Sequence, residues 1–235
     1  MRAMGILAAA IGLLAGLAAA SAQPRQIIIL RHAEKTDGPD LCPMGVDRAE
    51  ALAKDYLGKG AARSLFGADR PAAFYAITGH TKKTIKPTAD SWGLPVLVPS
   101  TDKAQFSDKD KFEDQQTRDA ARDVLANPRF AGKIVVMTWE HKHIANEQLD
   151  AASDPVTLRR LLKIDLYAMH HPSEKIPKTW SGKNYDYFWI VNYADLAGSE
   201  PSSVATVKQT FTAPYEKVPD NEWGISEPPL DGCVQ

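Results

Sequence analysis

The run Ile27-Ile28-Ile29-Leu30, followed at once by Arg31-His32-Ala33-Glu34, constrains this chain more than any other segment. Four large aliphatic residues in a row, three of them β-branched, predict a strand buried on both faces. Such a strand needs helices above and below it. The polar residues after it emerge at the carboxyl end of a sheet, where open α/β folds bind ligands. An Arg and a His delivered together at that edge suit phosphate chemistry. The guanidinium grips an oxyanion as a fork, and the imidazole can attack phosphorus.

Two more segments repeat the arrangement. Ile134 to Glu140 is a second apolar run ahead of His141, and Phe74 to Gly79 is a weaker one ahead of His80. Of the six histidines in the chain, three thus occupy equivalent places. One histidine at a strand end is ordinarily a loop residue, but three handed to one edge predict a site.

The remaining periodicities place the other elements. A helix is predicted over 46–57, stopped by Gly58 and Gly60. Strand 74–78 and helix 82–92 follow, with Pro87 inside the helix. Next come a short strand at 96–98 and a helix capped by Ser107 or Asp108 that ends before Asn127-Pro128. After the strand at 133–139 come a helix from about 142 and a short one through Leu162, capped by Asp154-Pro155. Residues 170–184 read as loop. Residues 185–193 and 204–212 read as strands, an antiparallel edge pair, and the proline-bearing tail from Ala213 reads as extended. Alternating strands and helices predict an α/β fold, a three-layer αβα sandwich with a mostly parallel central sheet.

Residues 1–22 read as a secretory signal peptide. Arg2 precedes an uncharged apolar run, and Ala20-Ser21-Ala22 fits a small-x-small cleavage pattern. A transmembrane anchor is the alternative, but the run is marginal in length for spanning a bilayer. The expected mature chain, 23–235, is a single domain, periplasmic or secreted and not held in the membrane. A formal net charge of −1 and the lack of a basic stripe with interleaved aromatics argue against nucleic acid. Export also bears on the two cysteines, Cys42 and Cys233, since an oxidising compartment allows them one disulfide. That bridge would tie the tail to the loop after the first strand.

Arg31-His32-Ala33-Glu34 resembles the Arg-His-Gly motif of the histidine phosphatase superfamily, also called the phosphoglycerate mutase-like family. Gly45-Val46-Asp47-Arg48-Ala49-Glu50-Ala51-Leu52 resembles the start of that family's first helix. Phe74 to Val96 lines up without gaps against the segment that carries its second arginine, and Gly132 to Val136 before His141 resembles the strand leading to its second histidine. The resemblance covers roughly residues 26–150. It implies a phosphomonoester hydrolase without metal or other cofactor. His32 would take the phosphoryl group, and Arg31 and His141 would bind its oxygens. The phosphomonoester could be a small molecule or a phosphoprotein.

The chain departs from the family pattern at three places. Ala33 replaces glycine. His80 stands where the second phosphate-binding arginine is expected, with Lys82 or Lys83 as alternative sources of charge. Glu140 precedes His141 where glycine is common; as a carboxylate beside phosphate it is expected to point away or to carry a proton. Glu34 and Lys35 are further candidates for substrate contact, and the leaving-group acid is open among Asp102, Asp108, Asp110 and Glu113. Two other functions compete. One is a phosphate-binding module that has lost turnover. The other is a zinc hydrolase using His32, His80 and His141, against which the adjacent Arg31 counts.

Overall fold

A computed structural model describes residues 23–194 and 200–234; the predicted signal peptide lies outside the described residues. Six strands form one sheet: β1 (Gln26–Arg31), β2 (Pro71–Ala76), β3 (Val96–Leu97), β4 (Ile134–Trp139), β5 (Tyr187–Asn192) and β6 (Ser203–Lys208), in the order β3-β2-β4-β1-β5-β6. The pairs β1–β4, β2–β4 and β2–β3 are parallel, and β5 and β6 close one edge as an antiparallel pair. The sheet is therefore mixed and mostly parallel, as expected.

The apolar run of β1 explains the layering. Ile27 and Ile29 face one core with Val135, Met137 and Trp139 of β4, while Ile28 and Leu30 face a second core with Ile134 and Val136. Each strand of the pair alternates between two buried faces, and so neither carries a polar stripe. Helices α1 (Pro43–Leu52) and α2 (Gly79–Trp92) cover the second core, contributing Leu52, Ile85 and Ala89. Helix α3 (Lys109–Ala126) covers the first, together with the short helices α4 (His141–Ile144), α6 (Leu158–Leu161) and α7 (Ile164–His170); α5 (Glu147–Asp150) lies between α4 and α6 in sequence.

The boundaries differ from expectation where a side chain has another task. β2 stops at Ala76 because Thr78 caps α2, in a reciprocal box with Thr81. α1 starts earlier, at Pro43, and its end widens so that Gly58 N–H donates to the Ala53 carbonyl (2.9 Å). Thr157, not Asp154, caps α6; Asp154 pairs with Arg118 instead. α7 was not expected at all. β6 ends at Lys208, because Gln209 turns inward.

The register aligns the three central strand ends. Arg31 lies opposite Trp139, and Ala76 opposite Thr138. Their continuations, His32, Glu140-His141 and Thr78 to His80, leave the sheet at one edge. Cys42 and Cys233 are bonded, with Cα atoms 5.2 Å apart, so the C-terminal tail is fastened to the start of α1. No helix among the described residues is long and apolar enough to cross a membrane.

Candidate active site

The turn after β1 is pinned from both sides. The His32 amide donates to the Trp139 carbonyl (3.1 Å), and the Ala33 amide donates to Thr84 Oγ1 on α2 (2.8 Å). Ala33 is fully buried there, its methyl accommodated. His32 is 1 % exposed. Its Nδ1 lies 2.6 Å from the Ala33 carbonyl, an acceptor only, so this nitrogen carries the hydrogen and Nε2 is left for chemistry.

Nε2 of His32 faces Glu140 Oε2 at 3.3 Å, and Glu140 Oε1 accepts a hydrogen bond from the Thr78 hydroxyl (2.7 Å). Glu140 thus does not point away. One ligand-capable atom each of His32, Glu140 and His141 falls within 4.8 Å of the others. Arg31 lies close to the group. Its Nη1 donates to the carbonyls of Gly182 (2.7 Å) and Asn184 (3.2 Å), and its guanidinium lies 3.8 Å over the Tyr185 ring. Arg31 Nε and His141 Nδ1 are buried without a hydrogen-bond partner among the described residues. Buried polar atoms left open in one cluster are what groups held for a ligand look like.

Electrostatics divides the carboxyls. Burial pushes Glu140 up, but the adjacent His32, the hydrogen bond from Thr78 and the nearby Arg31 outweigh it and hold Glu140 far below the usual carboxylate range. Burial lowers His32, aided by Arg31 and opposed by Glu140. Burial, with the charges of Arg31 and His32, lowers His141 to about 3. His141 is therefore neutral well into acid, and His32 is shifted in the same direction. Glu113 goes the other way: burial, with the charge of Glu140, raises it against Lys109 and Lys142.

The other expected residues sit elsewhere. The His80 ring is 5.7 Å from that of His32, but its Nε2 lies 2.8 Å from the Gly38 carbonyl and fixes the loop over 36–40. Lys83 ties the same loop, through the Pro39 carbonyl (2.9 Å) and Asp40, and lines a separate surface depression. Neither takes the place of a second arginine in the cluster. Lys35 pairs through its backbone with Leu41 and Val234 and borders the pocket described below. Glu34 is corrected from substrate contact to scaffold. Both its oxygens are held by Arg48 of α1 (2.7–3.0 Å), which also grips Asp186, Glu227 and Gln209. Among the acid candidates, Asp102 and Asp108 cap helical turns and Asp110 pairs with Lys142. Thr78, Gly182 and Tyr185 were missed as site residues. Only the position of Thr78 at the end of the second apolar run hinted at it.

Two depressions flank the cluster. One of about 590 Å³ is bordered by Thr78, His80, Lys35 and Glu113. The other, about 240 Å³, is walled by Gly182, Lys183, Tyr185 and Glu227. A larger one of about 670 Å³ lies between β3 and α3 and includes none of the cluster. Compared with known proteins, the chain matches no family model and no curated protein.

Proposed function

We propose that this protein is an exported phosphatase of the histidine phosphatase type, hydrolysing a phosphomonoester through a phosphohistidine on His32. The observation that carries this reading is the 2.6 Å contact of His32 Nδ1 with the Ala33 carbonyl, which turns Nε2 towards Glu140 and His141, with Arg31 close by. In the first step Nε2 attacks phosphorus and the bond to the leaving oxygen breaks. In the second, water attacks the phosphohistidine and restores the imidazole. Arg31 and His141 lie beside His32 and would meet the phosphoryl oxygens, which is where charge must be met in phosphoryl transfer.

Two carboxyls with opposite shifts supply the proton bookkeeping. Glu113, buried and shifted towards its protonated form, gives a proton to the leaving alcohol and takes one from the attacking water. Glu140, ionised at rest, orients His32 and accepts any proton on Nε2 as the phosphate arrives. That transfer frees the nucleophile and removes the carboxylate charge that would repel the anion. Export is supported by the Cys42–Cys233 bridge.

A metal hydrolase is the second reading, and its ligands would be His32, Glu140 and His141. His80 drops out of the three-histidine set because its Nε2 is committed to Gly38. Arg31 beside a dication still counts against this reading.

Hydrolysis of an aryl phosphate across pH 4–8, with and without chelator, separates the possibilities. The expected result is chelator-resistant activity with an acid optimum. Its loss in His32→Ala should be on the order of a thousandfold or more. An acid-labile phosphoryl group should be trapped on wild type and not on that variant. Loss of activity with chelator would favour the metal reading, and no turnover on any phosphate would favour a binding module.

A further inference from the structure

The 590 Å³ pocket beside the cluster has a lining unlike that of a sugar-phosphate site. Three lysines (35, 103 and 109) share the lining with three carboxyls (Asp37, Asp108 and Glu113), so most of its positive charge is already compensated. Several of these groups are already engaged. Asp108 accepts from the amides of Asp110 (2.7 Å) and Lys111, and Glu113 lies 3.4 Å from Lys109. Beside these polar groups the lining also carries an apolar wall. Phe106 and Phe112 form a tilted ring pair with centroids 5.8 Å apart, and Pro39 and Ile77 also border the pocket. Both phenylalanines are part-exposed, although a ring pair of this kind would ordinarily be covered. The pocket shares Thr78, which binds Glu140, and His80, whose ring is 5.7 Å from that of His32.

We infer that this pocket receives the leaving-group body of the substrate, and that the substrate class is a phosphomonoester of an alcohol carrying an aromatic ring, seated against Phe106 and Phe112. The inference rests on the phosphatase reading above. It opposes a glycerol- or sugar-type body, which would leave the two rings uncovered. It also opposes a polyphosphate, which would need several uncompensated cations, where the lining pairs most of its lysines with carboxyls.

The test compares 3-phenylpropyl phosphate with propyl phosphate, whose leaving alcohols have the same chemistry, so that any preference reports binding of the ring. Wild type should favour the phenyl ester by about ten-fold or more in kcat/KM, with the difference in KM. In the double variant Phe106→Ala, Phe112→Ala the ratio between the esters should fall towards one. Equal use of both esters by wild type, or equal loss on both in the variant, would overturn the inference. Absence of turnover on either ester would count against the phosphatase reading instead. Calorimetry of the matching phosphonates on wild type then decides the pocket on its own, with tighter binding of the phenyl compound expected and equal affinity refuting it.

Discussion

At the level of single residues, the site depends on side chains whose charge state differs from their ordinary one. His141 is the clearest case. Its value near 3 lies below the ordinary 6.5, so between those values the unfolded chain binds a proton that the folded chain refuses. Stability from this group is complete above pH 6.5 and falls as the pH drops through the window. Glu140, held low, adds to the same trend below the ordinary carboxylate value of 4.5. Urea unfolding from pH 7 to pH 4 should therefore show a falling midpoint, with a shallower slope in His141→Asn. Arg31, His32 and His141 were legible as a group because each follows an apolar run. Glu140 was legible as a neighbour only. Its direction depends on Thr78, 62 positions away, and short-range patterns carry no such information.

At the level of elements, glycines mark two close approaches that sequence spacing could not explain. A Cβ at Gly45 would lie 1.9 Å from the Glu34 carbonyl oxygen, so α1 sits directly on the turn after β1. Three residues on, Arg48 reaches back to Glu34. The Gly45-x-x-Arg48 spacing is thus a docking device for the turn after β1. Gly45→Ala should cost about 3 kcal/mol, seen as a lower urea midpoint. Gly182 makes a different demand. A Cβ there would stand 3.3 Å from His141 Nε2, while the Gly182 carbonyl holds Arg31. Gly182→Ala should leave the urea midpoint near that of wild type yet lower kcat roughly ten-fold, since a small misplacement of a catalytic group is costly. Elements with strong patterns, β1, β4 and α3, lie where the sequence places them. β2 and β6 shift by a few residues because Thr78 and Gln209 answer to partners elsewhere, and α1 starts early because Pro43 suits a first helical turn.

Across the whole molecule, the C-terminal tail is a strap. It supplies Glu227 and the Pro219 carbonyl to Arg48, adds a backbone bond from Val234 to Lys35, and ends at the Cys42–Cys233 bridge. The bridge closes a loop with a sequence separation of 191. On the chain-entropy estimate a loop of that size is stabilised by at most about 5 kcal/mol, so Cys42→Ser with Cys233→Ser should lose about 2–5 kcal/mol in urea unfolding. The strap also has an alkaline weakness. Burial, with the charge of Glu34, raises Glu227 to about 9, so between pH 4.5 and 9 the folded chain keeps a proton that the unfolded chain releases. That stability is present below pH 4.5 and is lost as the pH rises. Glu227→Gln should match wild type near pH 4.5 and melt higher than wild type at pH 9.

The sequence by itself determined the layered α/β plan, the edge at which Arg31, His32 and His141 appear, and the pairing of the two cysteines. Each of these follows from local hydrophobic period or from composition, which act over a few residues or over the whole chain. Only the tertiary structure decided what the polar side chains hold: Glu34 on Arg48, His80 on Gly38, Glu140 on His32, and two phenylalanines at the mouth of a pocket. Those outcomes depend on which buried donors and acceptors meet across distant segments. A buried polar group accepts whichever partner the packed fold brings to it.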